Sequence, residues 1–139
     1  MLSIFTRRFL WSKFKEGPAG RTPGEVFVIV THFQAERLRD LPGIAHSSYS
    51  LRQRWPELPG AVGVWTWLDW RNKRVGSVSI WKREQDMRAF LRWEPHVKII
   101  RRYRRAGVTT SVSWTSETFD RRATHARAVQ ELSNWKQPG

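Results

Sequence analysis

His96, Trp81, Tyr103, Trp114 and Arg102 are the residues whose types and spacing could do chemistry in this chain. A helix opening near Pro95 places His96, Ile99 or Ile100, and Tyr103 on one apolar face at i, i+3 or i+4, and i+7. An imidazole held inward on a cavity wall can exchange a proton with a phenolic substrate near neutral pH, or hold iron through a ring nitrogen. A satisfied core histidine would show the same pattern. Tyr103 could donate a hydrogen bond to a bound oxygen or snorkel at the surface. Trp81 could stack on a flat aromatic ligand or simply pack, and Trp65, Trp67 and Trp114 pose the same choice. Arg102 belongs to the densest charge in the chain, with Lys98, Arg101, Arg104 and Arg105. One or two of these could clamp a carboxylate by bidentate contacts, and the rest would form a solvated helix face.

Other chemistries are excluded or disfavoured. No cysteine is present, which removes disulfides, thiolate metal sites and cysteine nucleophiles. His32, His46 and His125 have no acid or second histidine at metal-ligand spacing. Gly17-Pro18-Ala19-Gly20 lacks the Lys-Ser/Thr and the preceding strand of a phosphate loop. No G-x-S-x-G elbow exists. The 139 residues hold 25 Lys plus Arg against 12 Asp plus Glu, a net charge of +13 that attracts anions in general. With 40% hydrophobic residues and nine tryptophans, one packed domain is expected rather than disorder. No apolar stretch is long enough to span a membrane, and the lack of cysteine is compatible with a cytoplasmic setting.

The elements that must position these residues can be read in order. Residues 1–16 form an apolar and basic arm, read as a mobile or partner-packed extension, and 17–24 a Gly/Pro linker. The rest, 25–139, reads as one domain. Val26–Phe33 suits a strand, and a helix from about Ile44 to Trp55 puts Ile44, Ser48, Leu51 and Trp55 on one face. Ala61–Asp69 is a second strand, with Val62, Val64 and Leu68 opposite Trp65 and Trp67. A polar turn leads into Val75–Trp81, where Val78 and Ile80 oppose Ser77, Ser79 and Trp81. A helical region from about Glu84 to Ala106 is divided by Pro95 and closed by Gly107. Val108–Thr115 is the fourth strand, and a helix from about Arg121 to Trp135 follows. The order β-α-β-β-α-β plus a terminal helix predicts a ferredoxin-like α+β sandwich. Its sheet would have one face under two helices and the other rich in Trp and Phe. Left wet, that second face would be covered by a second copy, so a homodimer is expected.

The run Ser77 to Phe90, followed by His96, resembles dimeric α/β-barrel proteins of the antibiotic-biosynthesis-monooxygenase type. Their third strand commonly ends in Trp, followed by a short polar helix with a buried aromatic and then a histidine. The Trp81…Phe90…His96 spacing is most similar to the spheroidene-monooxygenase-like branch, whose members use haem. Leu58-Pro59-Gly60-Ala61-Val62 also resembles the opening of the superfamily's second strand. The likeness covers roughly residues 25–115. Cofactor-independent members that oxidise polyketide anthrones pair the Trp with an Asn four residues earlier, and this chain has Ser77 there.

The resemblance implies a monooxygenase-type enzyme acting on a flat hydrophobic substrate, polyketide, aromatic or isoprenoid. It implies haem or no cofactor, with His96 as haem ligand or acid/base, Trp81 as a wall, and Tyr103, Trp114 and Arg102 toward the substrate. A non-redox cyclase or isomerase on the same fold is an alternative. So is a basic nucleic-acid-binding protein using exposed sheet aromatics, although neither Val75–Trp81 nor Val108–Thr115 matches the RNA-recognition strand motif.

Overall fold

The computed structural model describes residues 8–135. Its elements are β1 (Leu10–Trp11), β2 (Lys15–Glu16), β3 (Val26–Ala35), α1 (Leu41–Gln53), β4 (Ala61–Asp69), β5 (Arg74–Trp81), α2 (Glu84–Leu91), α3 (Glu94–Tyr103), β6 (Gly107–Ser116) and α4 (Arg121–Ser133). The four long strands form an antiparallel sheet in the order β6-β3-β5-β4, and β1 and β2 both pair with the outer side of β4. This is the expected ferredoxin-like α+β order. Pro42 sits in the first turn of α1 and Pro95 in the first turn of α3, where a missing N–H costs nothing. Pro95 therefore separates α2 from α3, and Lys73, at φ 56°, takes the left-handed position in the turn between β4 and β5.

Two local expectations are corrected. Gly107 does not cap a helix: α3 ends at Tyr103, and Gly107 opens β6 opposite Ala35. A Cβ there would run into the Gln34 carbonyl, so close strand approach selects glycine. In β4 the register slips between Ala61 and Gly63, which turns Val62 onto the same side as Trp65 and Trp67.

The sheet divides its side chains by parity. Val26, Val28 and Val30 of β3, Trp65 and Trp67 of β4, Val78 and Ile80 of β5 and Trp114 of β6 face one way. That aromatic face is covered from within the chain. Ala128 and Leu132 of α4 are fully buried against it, and Phe9 from the arm is 8% exposed. The arm expected to be mobile or partner-packed lies along β4 over its described residues, pairing Trp11 with Trp67 and Lys15 with Val64. The linker follows it, with Gly17 and Ala19 donating to the Val62 and Ala61 carbonyls. The aromatic face expected to stay wet in a single copy is thus closed by α4 and the arm.

A buried polar cluster fastens this layer. Arg74 Nη2 donates to the Leu132 carbonyl at 3.0 Å, and its Nε donates to His32 Nε2 at 2.7 Å. Because a guanidinium only donates, His32 is neutral with its proton on Nδ1, 3.3 Å from Thr110 Oγ1. Asp69 accepts from Arg74, Arg8 and Asn72. Burial first, then the Arg74 charge, pushes the His32 pKa down to about 4.

Candidate functional site

The opposite sheet face does not close. Between it and α1, α2 and α3 lies a cavity of about 440 Å³, within the usual range for small-molecule pockets. Its floor alternates aliphatic and hydroxyl side chains, Ile29 and Thr31 on β3, Val64 and Thr66 on β4, Val75 and Ser77 on β5. The roof comes from Ile44 and Leu51 of α1, Phe90 of α2, and one face of α3.

That α3 face carries His96, Ile99, Ile100 and Tyr103, all of which line the cavity. The spacing read from the sequence thus brings His96 and Tyr103 to one wall. His96 Nδ1 lies 3.3 Å from the Leu91 carbonyl, and its ring packs 4.5 Å from Phe90. A carbonyl only accepts, so the proton is on Nδ1 and Nε2 keeps its lone pair. Burial lowers the His96 pKa, and the bond to Leu91 partly opposes the shift. Neutral at pH 7, the ring can accept a proton or ligate iron, but it does not bring a charge. The Tyr103 hydroxyl rests over Gly43 of α1, where a Cβ would come within 2.6 Å of it.

The other three named residues are placed elsewhere. Trp81 is 1% exposed, gives its Nε1–H to Ser79 Oγ at 2.9 Å, and packs 5.1 Å from Trp55 and 5.3 Å from Phe90. It backs the cavity wall without forming its surface. Trp114 lies on the far face of the sheet beneath Arg127, 4.1 Å away, because even positions of β6 face α4 and odd ones the cavity. Arg102 is exposed, 5.4 Å over the Tyr103 ring, whereas Arg104 reaches the cavity.

Sequence reasoning missed Arg52 and the hydroxyls. Arg52 is 8% exposed and lines the cavity. Its Nε and Nη2 donate to the Lys13 carbonyl at 3.1 and 2.7 Å. The signal was available, since Ile44, Ser48 and Arg52 follow one another at i, i+4 and i+8. Thr31, Ser77, Thr109 and Ser111 share one parity in their strands, but strand parity alone does not say which face meets a cavity. Among the described residues no cluster of His, Asp or Glu could hold a metal ion, and no helix is long and apolar enough to cross a membrane.

Fold and cavity together define a ferredoxin-like α+β sandwich with an open sheet-to-helix layer. Solved structures of the antibiotic-biosynthesis-monooxygenase type share that fold. The chain is similar to LmHde, a heme-degrading enzyme from Listeria monocytogenes, at 13% identity over 76% of this chain and 68% of that one, TM-score 0.57. It is similar to SnoaB, a cofactor-independent oxygenase from Streptomyces nogalater, at 13% identity over 66% and 92%, TM-score 0.50. A protein from Lactobacillus acidophilus assigned as a monooxygenase matches at 7% identity and TM-score 0.57 over 77% of this chain, which spans only 53% of that protein. No protein-family profile and no curated protein matches the sequence. At these identities the likeness establishes the fold.

Proposed function

We propose that this chain is a monooxygenase-type enzyme that oxygenates a flat hydrophobic small molecule in the cavity. The observation that carries the reading is a mostly apolar chamber with one neutral imidazole on its wall. The aliphatic floor and Phe90 supply a slot for a planar ring system. His96 Nε2 takes a proton from an acidic phenol or enol, and the half-buried ring disfavours keeping it, so the proton is returned readily. The electron-rich anion is the species that reacts with O2: the substrate supplies all four electrons and gives up two hydrogens, one oxygen atom entering it as a carbonyl and the other leaving with those hydrogens as water.

The residues also fit haem. His96 would ligate the iron through Nε2, with Nδ1 already oriented by Leu91, and Arg104 at the rim would meet a propionate. Bound there, haem would supply oxygen activation at its iron. Trp81, Phe90 and His96, on which the resemblance to the spheroidene-monooxygenase-like branch rests, pack as one unit, and a haem-using role of that kind is part of this proposal. The RNA-binding alternative loses its platform, because one aromatic face lies under α4 and the arm.

The test is the visible absorption spectrum of the protein after haem addition, together with O2 uptake in the presence of an acidic phenol. A Soret band abolished in His96→Ala selects the haem route. Uptake without haem that falls in His96→Ala selects the cofactor-free route. No band and no His96-dependent uptake would refute the proposal.

A further inference from the structure

The cavity wall is built for an anion. Among the described residues no Asp or Glu lines it, whereas the guanidinium-bearing Arg52 and Arg104 do. Among the described residues Arg52 makes no ion pair, although it is buried. Its bonds to the Lys13 carbonyl and to Gln53 Oε1 satisfy donors but leave the charge unneutralised. Buried guanidinium groups ordinarily meet a carboxylate.

A second, independent feature lies on the floor. Ser111 of β6 pairs with Thr31 of β3, Thr31 with Ser77 of β5, and Ser77 with Thr66 of β4. All four line the cavity, so one transverse row of hydroxyls crosses the whole sheet. Adjacent strands are about 4.8 Å apart, which makes the row roughly 14 Å long. Among the described residues none of these hydroxyls has a hydrogen-bond partner. Arg52 belongs to the Thr66 end, because Lys13 follows Ser12, whose Oγ accepts from the Thr66 N–H at 2.9 Å.

We infer that the ligand is a flat organic acid bound as its anion, with the carboxylate at Arg52 and further oxygen substituents along the hydroxyl row. The inference rests on the cavity being the functional site and names the class of molecule it takes. An apolar ring system would lie on Ile29 and Val64, and a neutral hydrocarbon would leave both the charge and the row unanswered.

Isothermal titration with 3-hydroxy-2-naphthoate and its methyl ester tests this. The acid should bind about tenfold tighter or more than the ester, a preference that Arg52→Met removes and Arg52→Lys largely keeps. Because Arg52 also ties down Lys13, Ser77→Ala with Thr66→Val gives a second measure, a loss of about three- to tenfold for the hydroxy acid. Equal binding of acid and ester by the parent chain overturns the inference while leaving the cavity in place. Binding of neither overturns the cavity reading as well. An unchanged affinity in the Ser77/Thr66 variant removes the hydroxyl row from the site.

Discussion

Lowering the pH should loosen the α4 layer through His32, and the size of the effect follows from its surroundings. Burial and the Arg74 charge oppose a second proton on the ring. Arg74 Nε points its N–H at Nε2, Thr110 occupies the Nδ1 side, and the Trp135 and Trp67 rings stack at 4.7 and 5.9 Å. A backbone hydrogen bond to the ring, and then Asp69, bound to the same Arg74, act the other way and favour the cation. The folded pKa of about 4 lies below the unfolded value of 6.5, so between them the unfolded chain holds a proton that the folded chain lacks. Stability from this group is therefore complete above pH 6.5 and lost as pH falls toward 4. Linkage gives roughly 2 kcal/mol lost by about pH 5, approaching roughly 3 kcal/mol below the folded pKa. Urea unfolding followed by tryptophan fluorescence at about pH 7.5 and about pH 5 measures it, in the parent and in His32→Gln. The variant should show a pH-dependent loss smaller by roughly 2 kcal/mol, because its amide oxygen can still accept from Arg74 without titrating. Equal losses in both proteins would refute the argument. A histidine signal in NMR that titrates near 6.5 and is absent from His32→Gln would do the same.

Three further outcomes follow from the same contacts. Trp81→Ala should cost about 3–5 kcal/mol, while Trp81→Phe should lower the melting temperature and leave ligand affinity within about twofold, as befits a residue behind the wall. A large change in affinity with Trp81→Phe would place the indole in the site after all. A chain ending at Phe119, without α4, should sediment as a dimer or larger species at concentrations where the full chain does not, since Trp65, Trp67 and Trp114 lose their cover. Identical masses would show that α4 is not what closes that face. If His96 is the base, the acidic limb of the pH–rate profile should fall below the ordinary histidine range, because burial lowers its pKa and activity needs the neutral ring. A limb at or above that range assigns the role to another group.

The sequence by itself determined the strand and helix order, because the β-branched run Val26–Phe33, the alternation in Val75–Trp81 and the prolines at 42 and 95 are local constraints. It also placed His96 and Tyr103 on one wall, since helical spacing fixes which side chains share a face. It could not show that the arm adds an edge to β4, because Leu10, Trp11 and Phe14 look the same whether they dock on a partner or on their own sheet. Only the tertiary structure decided that α4 and the arm cover Trp65, Trp67 and Trp114. The same holds for the hydroxyl row and for Arg52. Strand register sets Ser111, Thr31, Ser77 and Thr66 side by side over a span of eighty residues in sequence, roughly. A charge's partners are likewise a matter of distance in space, which no local pattern encodes.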